Sequence, residues 1–216
     1  MSKMFVNKIG KLTIIGTIHA SRHSENIVNS LINRVKPGVV AVELCEERYL
    51  MLKNFKGLNL KFVTKAGFLC LLIWLIEHIF SLKNKSVLGT DMLQAIFQAK
   101  QVGARIEFID MPISRIVQML KSLPLKEKIK LIMDSLSTIA IISTSKKVEF
   151  EFIELDDFLK FFKNKYPFFY ECLIDKRDEY MARKLKSILS SSNKEVVAVV
   201  GLAHLNGISK KLKAMV

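Results

Sequence analysis

Two tetrapeptides in this chain have the form Gly-x-x-His: Gly16-Thr17-Ile18-His19 near one end and Gly201-Leu202-Ala203-His204 near the other. Each follows an apolar run, Leu12 to Ile15 (LTII) in the first case and Val196 to Val200 (VVAVV) in the second. Glycine permits a tight turn as the chain leaves such a run, and a histidine three residues on can point back across it. A third apolar run, Val39 to Val42 (VVAV), ends at Glu43, and the strand-like stretch Arg105 to Ile109 (RIEFI) ends at Asp110. Two imidazoles and a carboxylate are a common ligand set for a catalytic divalent ion such as manganese, cobalt or zinc, with a position left for water. Within that set Glu43 has two readings, third ligand or the base that takes a proton from the water. Against these stand the ordinary alternatives: a structural loop histidine at either position, and a glutamate that caps a helix or pairs with a surface lysine. What favours one shared site is that His19, Glu43 and His204 all fall at the C-terminal ends of apolar runs.

The elements that would position them follow from periodicity. A short continuous apolar run reads as a buried strand. Ser24 precedes Glu25 and the set Ile27, Val28, Leu31, Ile32 and Val35, whose spacing is helical, with Ser24 suited to the N-cap. Pro37-Gly38 stops that helix before the strand Val39 to Val42. Strand, helix and strand in about 35 residues is a βαβ unit with parallel strands. A helix over Asp91 to Val102 is ended by Gly103, the strand Arg105 to Ile109 follows, and the stretch from Pro112 to Leu189 is mainly helical. After the strand Val196 to Val200, a short basic helix closes the chain. The expected class is α/β: a mostly parallel central sheet with helices on its faces and a largely helical middle section. In open sheets of this kind ligands bind beyond the carboxyl ends of the strands, the ends that carry His19, Glu43, Asp110 and His204.

Composition bounds the remaining possibilities. Half of the 216 residues are apolar, which argues against intrinsic disorder. No Pro/Gly/Ser-rich linker interrupts the chain, so one domain over residues 1–216 is expected, with a helical insertion at about 53–88. The formal charge of +14 comes mostly from lysines spread over helices, without the clustered basic and aromatic pattern of a nucleic-acid reader. Solvated helix faces explain it first, and attraction to an anionic membrane surface or an acidic partner second. Cys45, Cys70 and Cys172 form no Cys-x-x-Cys pair and are odd in number, which argues against a disulfide framework and fits a reducing cytosol. Residues 1–10 lack the apolar stretch of a secretory signal. Residues 66–76 (AGFLCLLIWLI) carry no charge, but Glu77 and His78 follow, so the run falls short of the about 20 apolar residues a membrane span needs. A buried helix or a homo-oligomer contact through residues 66–80 is expected there, with peripheral membrane contact as the alternative. The expected location is cytoplasmic, at most peripheral to a membrane.

A family resemblance then becomes specific. Gly16-Thr17-Ile18-His19-Ala20-Ser21, Pro37 and Val42-Glu43-Leu44-Cys45-Glu46-Glu47-Arg48-Tyr49 resemble the opening of the TraB/PrgY family. In order along the chain, Gly89-Thr90-Asp91-Met92, Gly103-Ala104-Arg105 to Asp110, Glu127-Lys128 and Arg177-Asp178-Glu179-Tyr180-Met181-Ala182 resemble its later segments, and Val196 to Gly201 with His204, Gly207 and Ile208 resembles its close. The resemblance covers residues 11–212. It implies relatives among Tiki and GumN proteins and, more distantly, erythromycin-esterase-like and ChaN-like proteins. Tiki proteins are regarded as metal-dependent peptidases that use both Gly-x-x-His motifs and a glutamate, which map here to His19, His204 and Glu43. Bacterial TraB members are linked to shutdown of a peptide pheromone. The resemblance therefore implies a metal-dependent hydrolase acting on peptides, or a protein that sequesters a peptide or small ligand without turnover.

This chain departs from the pattern in places. Asp91 stands for a glutamate, Met111 for the arginine that follows Asp110, Lys176 for the glutamate before Arg177, and Ala203 for the glycine before His204. The lost arginine leaves Arg48, Arg115 or Arg177 to replace its cation. The remaining candidates are Arg48, which either clamps a substrate carboxylate or bridges to Glu43, and Arg177 with Asp178, which read most simply as a local ion pair on a helix. Cys45 reads as a small buried hydrophobe, His23 and His78 lack the glycine turn, and the phenylalanines over residues 158–169 read as helix core.

Overall fold

The computed structural model describes residues 5–17, 22–53, 89–144 and 155–215. The chain forms two compact units, one made of Met1–Leu52, Val87–Pro112 and Ile174–Val216, the other of Lys53–Ser86 and Ile113–Leu173. The expected insertion at 53–88, apart from Lys53, lies outside the described residues, as do residues 66–76 and Cys70.

The first unit holds the sheet. Its strands are β1 (Val6–Ile9), β2 (Leu12–Thr17), β3 (Val39–Val42), β4 (Arg105–Phe108) and β5 (Val196–Gly201), in the spatial order β1-β2-β5-β3-β4. Pairing is parallel throughout except for β1, which turns back on β2 as an antiparallel edge hairpin. The turn is made at Gly10, whose φ of 55° lies in the left-handed region that costs glycine least. Its helices are α1 (Arg22–Val35), α2 (Glu46–Lys53), α3 (Thr90–Gln101), and two numbered later in the chain, described below.

The described residues of the second unit form helices: α4 (Ile113–Lys121), α5 (Leu125–Thr144), α6 (Leu155–Lys165) and α7 (Pro167–Tyr170). A five-residue π-helical turn, Glu171–Asp175, then leads into α8 (Lys176–Ser191), which with α9 (Leu202–Met215) belongs to the first unit.

The central strands are buried on both faces, which is why they read as unbroken apolar runs. Their residues still alternate between two cores. Val39, Ala41, Val196, Ala198 and Val200 face Met181, Leu185 and Leu205, Ile208 and Leu212, from α8 and α9. Val40, Val42, Val197 and Val199 face Val28 and Ile32 of α1 and Met92, Ala95 and Ile96 of α3. The mostly parallel α/β sheet read from the sequence is therefore the observed one.

Three local readings need correction. Helix α1 begins at Arg22, so Ser24 lies buried in its first turn rather than at the N-cap. Strand β4 ends at Phe108: the Ile109 N–H still donates to the Val42 carbonyl in ladder register, but the next bond comes from the Asp110 N–H to Leu44, one residue out of step. The aromatic stretch is only half core: Phe169 is buried with Leu131, Tyr166 and Cys172 and Phe162 packs on them, but Phe158, Phe161 and Phe168 are exposed. No helix among the described residues is long and apolar enough to cross a membrane.

Candidate functional site

Parallel register brings the strand ends level. Thr17 pairs with Gly201, and Val42 with both Val199 and Phe108. Glu43 comes next after β3, its backbone N–H donating to the Val199 carbonyl at 3.0 Å. Its side chain is buried and turned along the row of strand ends. Oε2 accepts the Gly201 N–H at 2.6 Å, and Oε1 accepts Nη2 of Arg177 at 2.5 Å.

Arg177 ties two strands together. Its Nε and Nη2 each donate to Asp110 at 2.9 Å, a bidentate grip, while Nη2 also reaches Glu43. Asp110 further accepts the Met111 N–H at 2.7 Å and Nη1 of Arg48 at 3.1 Å. Burial opposes the charge on Arg177, but the Glu43 and Asp110 carboxylates outweigh it and hold the guanidinium pKa above its ordinary value. The cations that meet Asp110 are thus Arg177 and Arg48. Arg48 lies in the first turn of α2 and meets Asp110, with 42% of its side chain exposed.

Asp178 serves a different partner. Successive helix positions diverge by about 100°, so neighbours on α8 cannot face the same group. Asp178 points to α9, where its Oδ1 lies 2.6 Å from Nδ1 of His204. Burial raises the Asp178 pKa, the His204 hydrogen bond draws it back down, and the charge of Glu43 raises it further. The reading of Arg177 and Asp178 as a local ion pair is therefore wrong: each binds a partner far along the chain, and the two carry separate halves of one buried network.

With Nδ1 engaged, the other ring nitrogen of His204 is directed at the acid. Nε2 lies 3.4 Å from Oε1 of Glu43. Gly207, one turn further along α9, lets the helices come this close, since a Cβ there would fall 1.8 Å from Oδ2 of Asp178.

Asp91 stands at the end of β2. It is fully buried in the first turn of α3 and accepts the Thr17 hydroxyl at 2.5 Å, while that hydroxyl oxygen also lies 3.3 Å from the Val200 carbonyl. Asp91 therefore fixes the last described residue before the first Gly-x-x-His histidine. His19 itself lies outside the described residues, as does His78. Of the other candidates, Glu43, Arg48, Asp110, Arg177, Asp178 and His204 are gathered into one network. Cys45 is buried, its Sγ 3.4 Å from Oε2 of Glu47. Thr17 and Gly207 were not singled out from the sequence for a role, although both lie inside the motifs that were.

The donors can be weighed against the expected metal. Among the described residues, no group of three or more His, Cys, Asp or Glu is arranged to hold an ion. Two donors do converge, Nε2 of His204 and Oε1 of Glu43. Ligands held at about 2.0–2.1 Å by a tetrahedral ion stand about 3.3 Å apart, close to the 3.4 Å between these two. The Asp178–His204 pair matches the carboxylate–histidine arrangement that orients metal-binding imidazoles.

The profile of the TraB/PrgY/gumN family matches residues 6–215. The chain belongs to the TraB/PrgY/gumN family. Uncharacterized protein MJ1365 of Methanocaldococcus jannaschii is 33% identical over 226 aligned residues, which cover 94% of this TraB-family chain and 53% of that relative. The chain thus spans about half the length of that relative. The TraB-family segments noted in the sequence coincide with the buried network: the strand ends bearing Glu43 and Asp110, the Arg177-Asp178 pair, and the turn into α9 that carries His204.

Proposed function

We propose that this TraB-family protein is a metal-dependent hydrolase acting on peptide bonds. The observation that carries the reading is the line Asp178, His204, Glu43, in which Nδ1 is held at 2.6 Å and Nε2 is presented to a carboxylate at 3.4 Å. An imidazole oriented in this way is ready either to ligate an ion or to accept a proton. His204 and Glu43 would hold the ion, with His19 joining them on the strength of its place in the first Gly-x-x-His motif. Bound there, manganese, cobalt or zinc would supply the Lewis acidity that activates water and polarises a carbonyl. The chain's own residues do the rest. Asp178 fixes the tautomer and orientation of His204. Arg177 and the Gly201 N–H fix both oxygens of Glu43. Arg48, partly exposed beside Asp110, offers a donor to a substrate carboxylate. A peptide is the substrate class that the family resemblance favours.

The test is metal analysis of protein purified without chelator, followed by a peptide cleavage screen with each of the three metals. Bound metal, and cleavage lost in His204→Ala and His19→Ala, is the expected result. Absence of metal together with cleavage that survives both substitutions overturns the proposal.

A second reading has its own support. Both oxygens of Glu43 and both of Asp110 already accept N–H groups, which blunts Glu43 as a base and suits a pocket that captures a peptide or small ligand. Mass spectrometry of a peptide after incubation separates the two readings: intact recovery with measurable affinity marks a binder, and fragments mark a hydrolase.

A further inference from the structure

We propose that the helical unit docks on an anionic membrane surface through the outer face of α5. The face is a stripe at helical spacing. Leu125, Ile129 and Met133 lie at i, i+4 and i+8 and are 72%, 53% and 61% exposed, and Leu136 continues the row at 49%. At 1.5 Å per residue the row is about 16 Å long. Such a run of large apolar side chains in water is a marker of an interaction surface.

Charge decides what meets it. Lys126 and Lys130 flank the stripe on one side and Lys128 on the other, by the 100° step of the helix. The only carboxylates on α5 are turned away from the stripe. Glu127 is buried and accepts the backbone N–H groups of Phe168 and Phe169, and Asp134 accepts the Tyr166 hydroxyl and pairs with Lys165 at 3.0 Å. Nζ of Lys130 donates to the Lys165 carbonyl of α6 at 3.1 Å, and exposed Phe161 lies beside Lys165, whose own charge is met by Asp134. An apolar stripe edged by lysines with aromatic neighbours is the pattern of a helix lying in the headgroup boundary, its apolar side chains dipping inward and its lysines reaching out to lipid phosphates. A second copy of this chain would set lysines against lysines, which disfavours self-association through the same face.

The full chain is mixed with vesicles of phosphatidylcholine alone, or of equal parts phosphatidylcholine and phosphatidylglycerol, and sedimented at low and high salt. The expected result is sedimentation with the anionic vesicles only, reversed by salt. Ile129→Glu with Met133→Glu should weaken it at least tenfold. Lys126→Gln with Lys130→Gln should weaken it about 25-fold, since each lysine near such a surface is worth about fivefold. All four positions are exposed, and an unchanged circular dichroism spectrum checks that the variants fold. The proposal is overturned if the wild type stays in solution with anionic vesicles, or if both variants sediment as the wild type does. A wild-type dimer in light scattering that Ile129→Glu turns into a monomer would likewise overturn it, in favour of a second copy.

Discussion

Arg177 is the residue on which the buried network turns, because one guanidinium neutralises carboxylates at the ends of two strands. Removing a partner from a buried charge cluster leaves the others uncompensated, so Arg177→Leu should cost about 3–5 kcal/mol. Arg177→Lys should recover only part of that, since a point charge cannot grip Asp110 side-on while also reaching Glu43. Arg48→Ala, at a half-open position, should stay within about 1 kcal/mol. Urea midpoints of the three variants check the order, and equal losses for Arg177 and Arg48 would deny Arg177 its central place. Under the proposed function, Asp178 acts on chemistry as well as on stability, through the imidazole it orients. Asp178→Asn keeps an acceptor for the His204 Nδ1–H but loses the charge behind it, so metal affinity or turnover should fall about 10–100-fold while the fold survives. Metal titration and kcat read this out, and wild-type values in both would remove Asp178 from the site. Glu43, Asp110 and His204 were legible in the sequence because each sits where an apolar run stops. The partners of Arg177 were not: they lie 67 and 134 residues away, and a side chain that ties distant strands leaves no local pattern.

Among the elements, what the sequence disclosed follows burial. Strands covered on both faces show as apolar runs, and their register follows from parallel pairing, so β2, β3 and β5 were readable to within a residue or two. Edge strand β1, with the residues Val-Asn-Lys-Ile and only partial burial, carries too little apolar signal to separate it from a polar terminus. Exposed Phe158 and Phe161 misled for the converse reason, since composition does not say which side of an amphipathic helix meets water. Helix packing also leaves a trace at single glycines. Gly207→Ala would drive a methyl into the Asp178 carboxylate, so it should cost about 1–3 kcal/mol and lower turnover in parallel with Asp178→Asn. A stable but fully active Gly207→Ala would mean that α8 and α9 need not approach so closely. In the helical unit, the Tyr166 hydroxyl and then Lys165 hold the Asp134 carboxyl below its usual range. A depressed acid lends stability that is present above the unfolded value of 3.8 and fades as pH falls through the folded one. Tyr166→Phe should therefore cost about 1 kcal/mol at neutral pH, and the difference should shrink below pH 3.8. Parallel urea midpoint curves for the two proteins across that range would show that the hydroxyl contributes through something other than this carboxylate.

For the whole molecule the governing quantity is charge. Lysine and arginine number 34 against 20 acids, a formal excess of +14. Five of the 20 acids, Glu43, Asp91, Asp110, Asp178 and Glu127, are buried, against Arg177 alone among the lysines and arginines of the described residues, so the solvent-facing excess of lysine is somewhat sharper than composition suggests. Like charges spread over a folded surface repel one another more than in the expanded chain, and that repulsion is screened once the Debye length falls below their spacing: about 30 Å at 10 mM salt and about 10 Å at 100 mM. The buried pairs around Arg177 are screened far less. Sodium chloride should therefore raise the urea midpoint between 10 and about 200 mM and have little further effect by the same cause above that. If the midpoint instead fell over this range, attractive surface pairs such as Arg183–Glu179 and Lys160–Asp157 would outweigh the repulsion.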